Sequence, residues 1–361
     1  MNPITTKLKK PGFLFTVMII MSIMMIGCSK KQDDPVVVVK KPYAWVAGER
    51  DSTGYGMILF SGDSGNTWVR QGLGSIALQD IDVWDIWAVD ESNVWGVCSD
   101  NVILKTQDGG QTWNRVQAPA NRTGTRLSAI SIVNKTNIWI SGSGGTVYNS
   151  TDNGSKWTLF DTNFFQKSLM QGIWAVTPLK IYVVGKTGGA KPRGFIGYTL
   201  DGGAKWDSLL PADNFNYNEW IGVCSSGNTI VIYGGKSHYL VSADGGTTWR
   251  NDSVPAAGGG GGADINHLIM LNPQTWWGAL DMGYVYLTTT GGSAWSSQPT
   301  GQGGSYLVGI DAWDSQLALA VGEAVNWPYR GPIVKSSNGG TTWVLQKVFR
   351  SNLQKVSFIK Q

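Results

Sequence analysis

One eight-residue pattern, Ser/Thr-x-Asp-x-Gly-x-Thr-Trp, constrains the fold of this 361-residue chain more than any other feature. It occupies Ser61–Trp68, Thr106–Trp113, Ser150–Trp157, Thr199–Trp206, Ser242–Trp249, Thr288–Trp295 and Ser336–Trp343, at intervals of 43 to 49 residues. Its third position is Asp63, Asp108, Asp152, Asp201 and Asp244 in the first five copies, then Thr290 and Asn338. An Asp side chain can accept hydrogen bonds from backbone N–H groups of its own turn, and Gly supplies the positive φ of a tight reversal. The pattern is therefore a turn, and its Asp residues are structural rather than metal-binding or catalytic. The closing Trp opens the next strand and is expected to plug the space between sheets, where its N–H needs a partner.

Short apolar runs recur around each turn, as repeat architectures require. In the second repeat they are 85–89, 94–98, 102–106 and 113–116; in the third, 129–133, 138–141, 146–149 and 157–160. Four strands per unit, seven times over, predict an all-β, seven-bladed β-propeller of four-stranded blades with these turns between the third and fourth strands. The first repeat lacks an innermost strand, since Ala44–Ala47 already reads as a second strand. Leu353–Ile359 follows the last repeat and opens with Leu-Gln, like Leu78-Gln79 ahead of the second. The C-terminal strand is thus expected to complete blade 1 and close the ring, giving one domain over residues 43–361. With 48 Gly, 18 Trp and only 15% charged residues, against roughly 25% charged in typical domains, long solvated helices are excluded.

The first 27 residues read as a signal peptide. Lys7, Lys9 and Lys10 precede an apolar run from Phe13 to Ile26, too short for the roughly 20 residues of a membrane span. Met25-Ile26-Gly27-Cys28 resembles a bacterial lipobox, with Cys28 as the lipidated residue and residues 28–42 as a tether. The Lys30-Lys31-Gln32-Asp33-Asp34 run resembles export signals of surface lipoproteins in Bacteroidetes-type bacteria. The expected location is the cell envelope, at the outer membrane, facing periplasm or surface, with the lipid as the membrane contact. Lys+Arg total 29 against 25 Asp+Glu, and the three leader lysines account for most of the excess, so a nucleic-acid partner is not expected. Two His and three Cys are too few for an ordinary Cys/His metal site, and no cofactor is expected. Cys98 and Cys224 sit in apolar stretches as buried thiols.

In a propeller the first–second and third–fourth strand connections share one face, and the other two kinds share the opposite face. Here the former are short (Asp90–Ser92, Asn134–Thr136, Thr177–Leu179) or are the repeated turns. The opposite face carries the long loops 48–55, 186–193 and 323–331 between second and third strands, and 117–126, 211–218 and 250–264 between blades. Scaffolded loops carry function, so this face is the expected binding face. Its candidate contacts are Trp84, Trp87, Trp174 and Trp220 on or beside innermost strands, His267 nearby, and Trp327, Tyr329 and Arg330 in the last loop. Arg122, Arg126, Lys186, Lys191 and Arg193 add positive charge. Trp45, Trp95, Trp139 and Trp277, at second-strand positions, read as core.

The repeated turn resembles the Asp-box, or bacterial-neuraminidase-repeat, motif, which implies a propeller and raises the question of sialidase activity. That family uses three Arg, a Tyr–Glu nucleophile pair and an Asp, with an Arg-Ile-Pro-like motif in the first blade; the motif is absent, and only Glu49, Glu91, Glu219 and Glu323 exist. Another glycoside hydrolase would need paired carboxylates, for which Asp85, Glu219 and Asp311 are the candidates, with His267 as a possible base. Xyloglucanase-type enzymes share these repeats but set two propellers face to face. Written Asp-Gly-Gly-x-Thr-Trp, as at Asp108 and Asp244, and joined by pairs such as Ile86-Trp87-Ala88-Val89, the repeats most resemble propellers related to the photosystem II assembly and stability factor. That resemblance implies a non-enzymatic scaffold, here a monomer binding a glycan or an envelope protein, with glycoside hydrolysis as the alternative.

Overall fold

The computed structural model describes residues 41–118, 124–160, 165, 168–190, 192–209, 219–255, 262–324 and 331–359. Seven four-stranded antiparallel sheets form from consecutive strands, except the first. In blade 1 the C-terminal strand Leu353–Phe358 pairs with Ala44–Gly48, followed outward by Met57–Ser61 and Val69–Arg70. The register sets Ala44 opposite Phe358 and Val46 opposite Val356. Blades 2 to 7 begin with innermost strands Val83–Ala88, Leu127–Val133, Leu169–Ala175, Trp220–Ser226, Ile265–Met270 and Ser305–Ala312. Each innermost strand packs on the next, and Leu353–Phe358 packs on both Ser305–Ala312 and Val83–Ala88. The expected seven-bladed propeller is what forms, and the C-terminal strand closes it.

All seven repeated turns share one hydrogen-bond network. The Ser or Thr hydroxyl at the first position accepts the N–H of the fifth-position Gly at 2.7–3.1 Å. The third-position side chain accepts the N–H of the seventh residue at 2.8–3.0 Å. Thr290 and Asn338 therefore do the work of Asp. The fourth and fifth residues both have positive φ in every copy. The fourth position, with φ of 59–72°, admits Ser64 and Asn153; the fifth, at 81–95°, is always Gly. Packing adds a second reason: a Cβ on Gly65, Gly110, Gly154, Gly203, Gly246, Gly292 or Gly340 would come within 3 Å of a neighbouring side chain.

Five of the Trp residues that close the turns pack against aromatics of the preceding blade, in the pairs Trp95–Trp157, Trp139–Trp206, Tyr182–Trp249, Tyr239–Trp295 and Trp277–Trp343. Trp45, Trp95, Trp139 and Trp277 are buried core, as read from sequence. The expectation that each closing Trp finds an N–H partner holds for Trp68, Trp249, Trp295 and Trp343. Among the described residues Trp113, Trp157 and Trp206 have no acceptor; for Trp157 and Trp206 the apolar ring contacts are what hold the side chain. Cys98 and Cys224 are buried and unpaired, and burial pushes both thiols far above their ordinary pKa, so they are poor nucleophiles.

Every innermost strand carries a one-residue β-bulge near its start, at Trp84, Ser128, Gln171, Ile221, Asn266, Val308 and Gln354. The second strand faces five of these bulges with Gly48, Gly142, Gly185, Gly234 or Gly322, where a Cβ would strike the neighbouring carbonyl oxygen at 2.0–2.5 Å. A bulge reverses which side chains face inward and bends the strand, so the seven together form a ring of side chains at one end of the central channel.

Candidate functional site

The channel encloses a cavity of about 730 Å³ lined by all seven innermost strands. Innermost strands start at the loop-rich face, so the bulge residues ring that mouth, and residues three positions further on lie deeper. There Trp87 and Trp174 meet with ring centroids 5.6 Å apart, and Trp174 Nε1 donates to Ser225 Oγ at 2.7 Å. These two indoles partly fill the lower channel. The upper mouth is mixed, with Ser128, Gln171, Asn266 and Gln354 beside Trp84, Ile221 and Val308.

At the mouth Trp84 lies under the guanidinium of Arg126, whose Cζ is 4.5 Å from the ring. Arg126 Nε makes a long 3.4 Å contact to Ser128 Oγ, and among the described residues no carboxylate pairs with it. Burial holds its pKa below the usual guanidinium value. Trp84 Nε1 is also buried without an acceptor among the described residues. A partly desolvated cation stacked on an indole, with no carboxylate partner among the described residues, is a poised recognition element.

The candidate carboxylates are already occupied. Asp85 is 5% exposed; its Oδ1 accepts the Ile86 N–H at 2.8 Å and its Oδ2 the Ile130 N–H of blade 3 at 3.0 Å. Asp311, also 5% exposed, accepts from Ala312 at 2.9 Å and across to Phe358 of blade 1 at 2.9 Å. His267 Nδ1 accepts the Ile310 N–H of blade 7 at 3.1 Å, fixing its free electron pair in the same bridging role. Ser131 and Ser357 likewise accept Ala175 and Ala88 N–H groups. These side chains staple each blade to the next by satisfying inner-strand amides. Glu219 is held by Gln171 Nε2 at 2.8 Å and Lys186 Nζ at 2.6 Å. Asp85, Glu219 and Asp311 line one cavity from blades 2, 5 and 7, but each already holds protein donors.

Trp220 does not line the cavity. It is 2% exposed and packs between blades 4 and 5 with Tyr182, Val184 and Ile196, because the bulge at Ile221 turns the neighbouring position sideways. Residues 250–253 form the outer strand of blade 5 rather than beginning a loop. Cys28, Arg122, Lys191, Trp327, Tyr329 and Arg330 lie outside the described residues. Sequence reasoning had not singled out Ser128, Gln171, Asn266 and Gln354 at the mouth. Among the described residues no group of three or more His, Cys, Asp or Glu is placed to hold a metal.

Comparison with known proteins agrees with the resemblance read from the repeats. The family profile for photosynthesis system II assembly factor YCF48 matches residues 71–167, covering blades 2 and 3. The photosystem II assembly lipoprotein Ycf48 of Synechococcus sp. (strain CC9902) is 28% identical over 169 residues, 46% of this chain. The match spans 48% of that relative, about half its length. The structure of YCF48 bound to D1 peptide superposes with a TM-score of 0.56 at 18% identity, covering 73% of this chain and 80% of the other. A GH74 xyloglucanase from Xanthomonas campestris gives 0.57 at 13% identity, covering 89% of this chain and 56% of the enzyme. At such identities the two structures share the fold, and the chain is a seven-bladed propeller similar to the photosystem II assembly factors.

Proposed function

We propose that this chain is a non-enzymatic scaffold of the bacterial cell envelope, anchored by lipid at Cys28, that holds a polypeptide at the mouth of its central cavity. The observation that carries the reading is Arg126, stacked on Trp84 at the mouth of the cavity with no carboxylate partner among the described residues. A polypeptide is preferred to a glycan because YCF48, of the same fold, has been seen with a peptide bound. The lipid anchor follows the lipobox and accords with the lipoprotein naming of the Synechococcus relative. Catalysis is disfavoured because Asp85 and Asp311 hold backbone amides with both oxygens.

The test is a parallel screen of the purified protein against a peptide library and a polysaccharide panel, reading both retention and released sugar. Wild type should retain a subset of peptides. Trp84→Ala with Arg126→Ala should weaken that retention about 30-fold or more, as loss of a hot-spot pair does. Asn134→Ala with Lys135→Ala, in a short turn on the other face, should leave it unchanged. Equal loss in both variants would remove the face assignment. Sugar release would replace the proposal with glycoside hydrolysis, with Asp85, Glu219 and Asp311 the first residues to test.

A further inference from the structure

Exposed apolar side chains are not spread evenly around this ring. Of the ten large apolar residues exposed among the described residues, six lie on the outer edge of two adjacent blades. They are Val69 on the outer strand of blade 1, Leu73 and Ile76 in the link to blade 2, and Val344, Leu345 and Val348 on the outer strand of blade 7. The outer strands of blades 2 to 6 run two to four residues and expose no large apolar side chain; that of blade 7 runs six. Val344 stands opposite Lys335, whose Nζ donates to Asn66 Oδ1 at 2.7 Å in the turn that leads into Val69. The edges of blades 7 and 1 are thus joined.

The link holds its apolar side chains out by construction. Gly72 and Gly74 take φ of 65° and 81°, a left-handed conformation that costs glycine little, and Leu73 sits between them. Ser75 N donates to Gly72 O at 2.9 Å. Arg115 of blade 2 clamps the far side of the link, from Nε to Ala77 O at 3.0 Å and from Nη2 to Gln79 O at 2.7 Å. Leu78 is fully buried while Ile76, two residues earlier, is 81% exposed. Across residues 69–78 and 344–350 the charged side chains are Arg70, Lys347 and Arg350, with no Asp or Glu. Arg70 is paired with Asp51; Lys347 and Arg350 are exposed, with no carboxylate within 4.0 Å among the described residues. Firmly held apolar side chains mixed with cations suit the headgroup region of a bilayer that contains anionic lipid.

We propose that the outer edge of blades 7 and 1 rests on a lipid surface, with Leu73, Ile76, Val344 and Val348 entering the headgroup layer. The inference rests on the anchor reading at Cys28, which brings a bilayer to this part of the ring. Lys41 follows Cys28 by 13 residues, a reach of at most about 45 Å, and the described chain enters the propeller through blade 1. A second copy of the chain is the other natural occupant of an exposed outer strand. Two features oppose it: a bulge leaves Gln346 unpaired in the middle of Val344–Phe349, and Lys347 follows on the same edge. Contact through the perimeter lays the channel axis along the membrane surface, so the mouth of the cavity stays open to a partner.

The probe is a vesicle of phosphatidylethanolamine and phosphatidylglycerol, mixed with the mature chain from residue 28 carrying Cys28→Ser, so that no acyl chain contributes. This protein should float with the vesicles. Leu73→Ser with Ile76→Ser, and separately Val344→Ser with Val348→Ser, should lower its partition coefficient about tenfold. Leu179→Ser with Leu200→Ser, an exposed apolar pair on blade 4, should leave it unchanged. Cys98 and Cys224 are buried, so a dye attached through Ile76→Cys or Leu179→Cys reports one place each. Vesicles should shift the emission of the first to the blue and leave the second alone, a readout that needs no multiply substituted protein to fold. Failure to float, equal loss in the blade 4 pair, or equal shifts at both dyes would overturn the proposal. So would a dimer in sedimentation that Val344→Ser with Val348→Ser abolishes while the parent protein ignores vesicles, since a second copy then covers the edge. Fatty-acid labelling of the unsubstituted chain tests the anchor by itself. A labelled chain whose edge ignores vesicles keeps the anchor and loses the lipid-facing edge; an unlabelled chain that floats through these residues does the reverse.

Discussion

The two faces of this propeller are built on opposite plans. On one, seven turns repeat a single hydrogen-bond network, with the same hydroxyl, acceptor and pair of left-handed residues each time. On the other, connections between second and third strands vary. In blades 2, 3, 5 and 6 they are tight turns such as Ser99–Asn101 and Gly235–Ser237, while blades 1, 4 and 7 insert longer segments. A turn that satisfies its own backbone locally folds the same way in any blade, so it can be copied. A loop excused from that task is free to differ, and the differences gather around the mouth of the cavity. Between the faces run the inner strands, whose staples belong to neither plan and hold the ring together.

The strongest way to break this comparison is to open the ring. Stopping the chain after Ser351 removes the strand Leu353–Phe358 and with it the buried Leu353, Val356, Phe358 and Ile359. It also strips Asp311 and Ala88 of their partners Phe358 N and Ser357 Oγ. Four buried apolar side chains amount to roughly 6–12 kcal/mol, comparable with the roughly 5–15 kcal/mol that holds a typical domain together. The truncated protein should aggregate or lose its cooperative melting transition, although all seven repeated turns and every loop remain. A normal melting curve would show that closure is dispensable.

A smaller blow tests the staples. Asp311→Ala leaves the Ala312 and Phe358 amides without acceptors in a buried setting, at a cost of about 3 kcal/mol. For a propeller of this size that lowers the melting temperature by roughly 4–5 °C. Peptide retention at the mouth should survive in the folded fraction. If Asp311→Ala kept full thermal stability but abolished a measured sugar release, the staple reading would yield to a catalytic one.

What was legible in the sequence follows the same division. The repeated turns could be read because their bonds are local: hydroxyl, acceptor and glycine lie within five residues of one another. Ring closure could be read because a strand was missing at Ala44 and a spare one stood at Leu353. The bulges were not legible from hydrophobic alternation, and a single bulge at Ile221 was enough to misplace Trp220, since one inserted residue changes the face that every neighbour presents. A signal did exist in the glycines at or near the ends of five second strands, Gly48, Gly142, Gly185, Gly234 and Gly322. The staples were hidden for another reason. Asp85 and Ile130 are 45 residues apart, and only superposing the repeats reveals that Ser131, Ser357 and Asp311 share one position three residues beyond the bulge.

The finest test sets the acids of the two faces against each other. Hydrogen bonds from the Thr112 side chain and backbone lower the Asp108 pKa from 3.8 to about 2, and the same arrangement around Thr248 lowers that of Asp244. A folded-state pKa below the unfolded value contributes stability above the unfolded value, here near pH 4, and loses it as pH falls toward 2. Glu49 and Asp281 on the loop-rich face have raised pKa values, so protonating them as pH falls toward their ordinary range relieves the fold instead. The melting temperature should therefore hold or rise slightly from pH 7 to about 5, then fall below about pH 4. Asp108→Asn with Asp244→Asn should flatten the acidic limb, at about 1–2 °C per turn, and leave the upper limb alone. Glu49→Gln should do the reverse. The Asn substitution suits the geometry, because Asn338 already accepts the Thr342 N–H at 3.0 Å in the same position. If the acidic limb survives both Asn substitutions unchanged, these two turns do not set the acid stability of this propeller, and the next to test are Asp63, Asp152 and Asp201, whose pKa values are also lowered in the same turn.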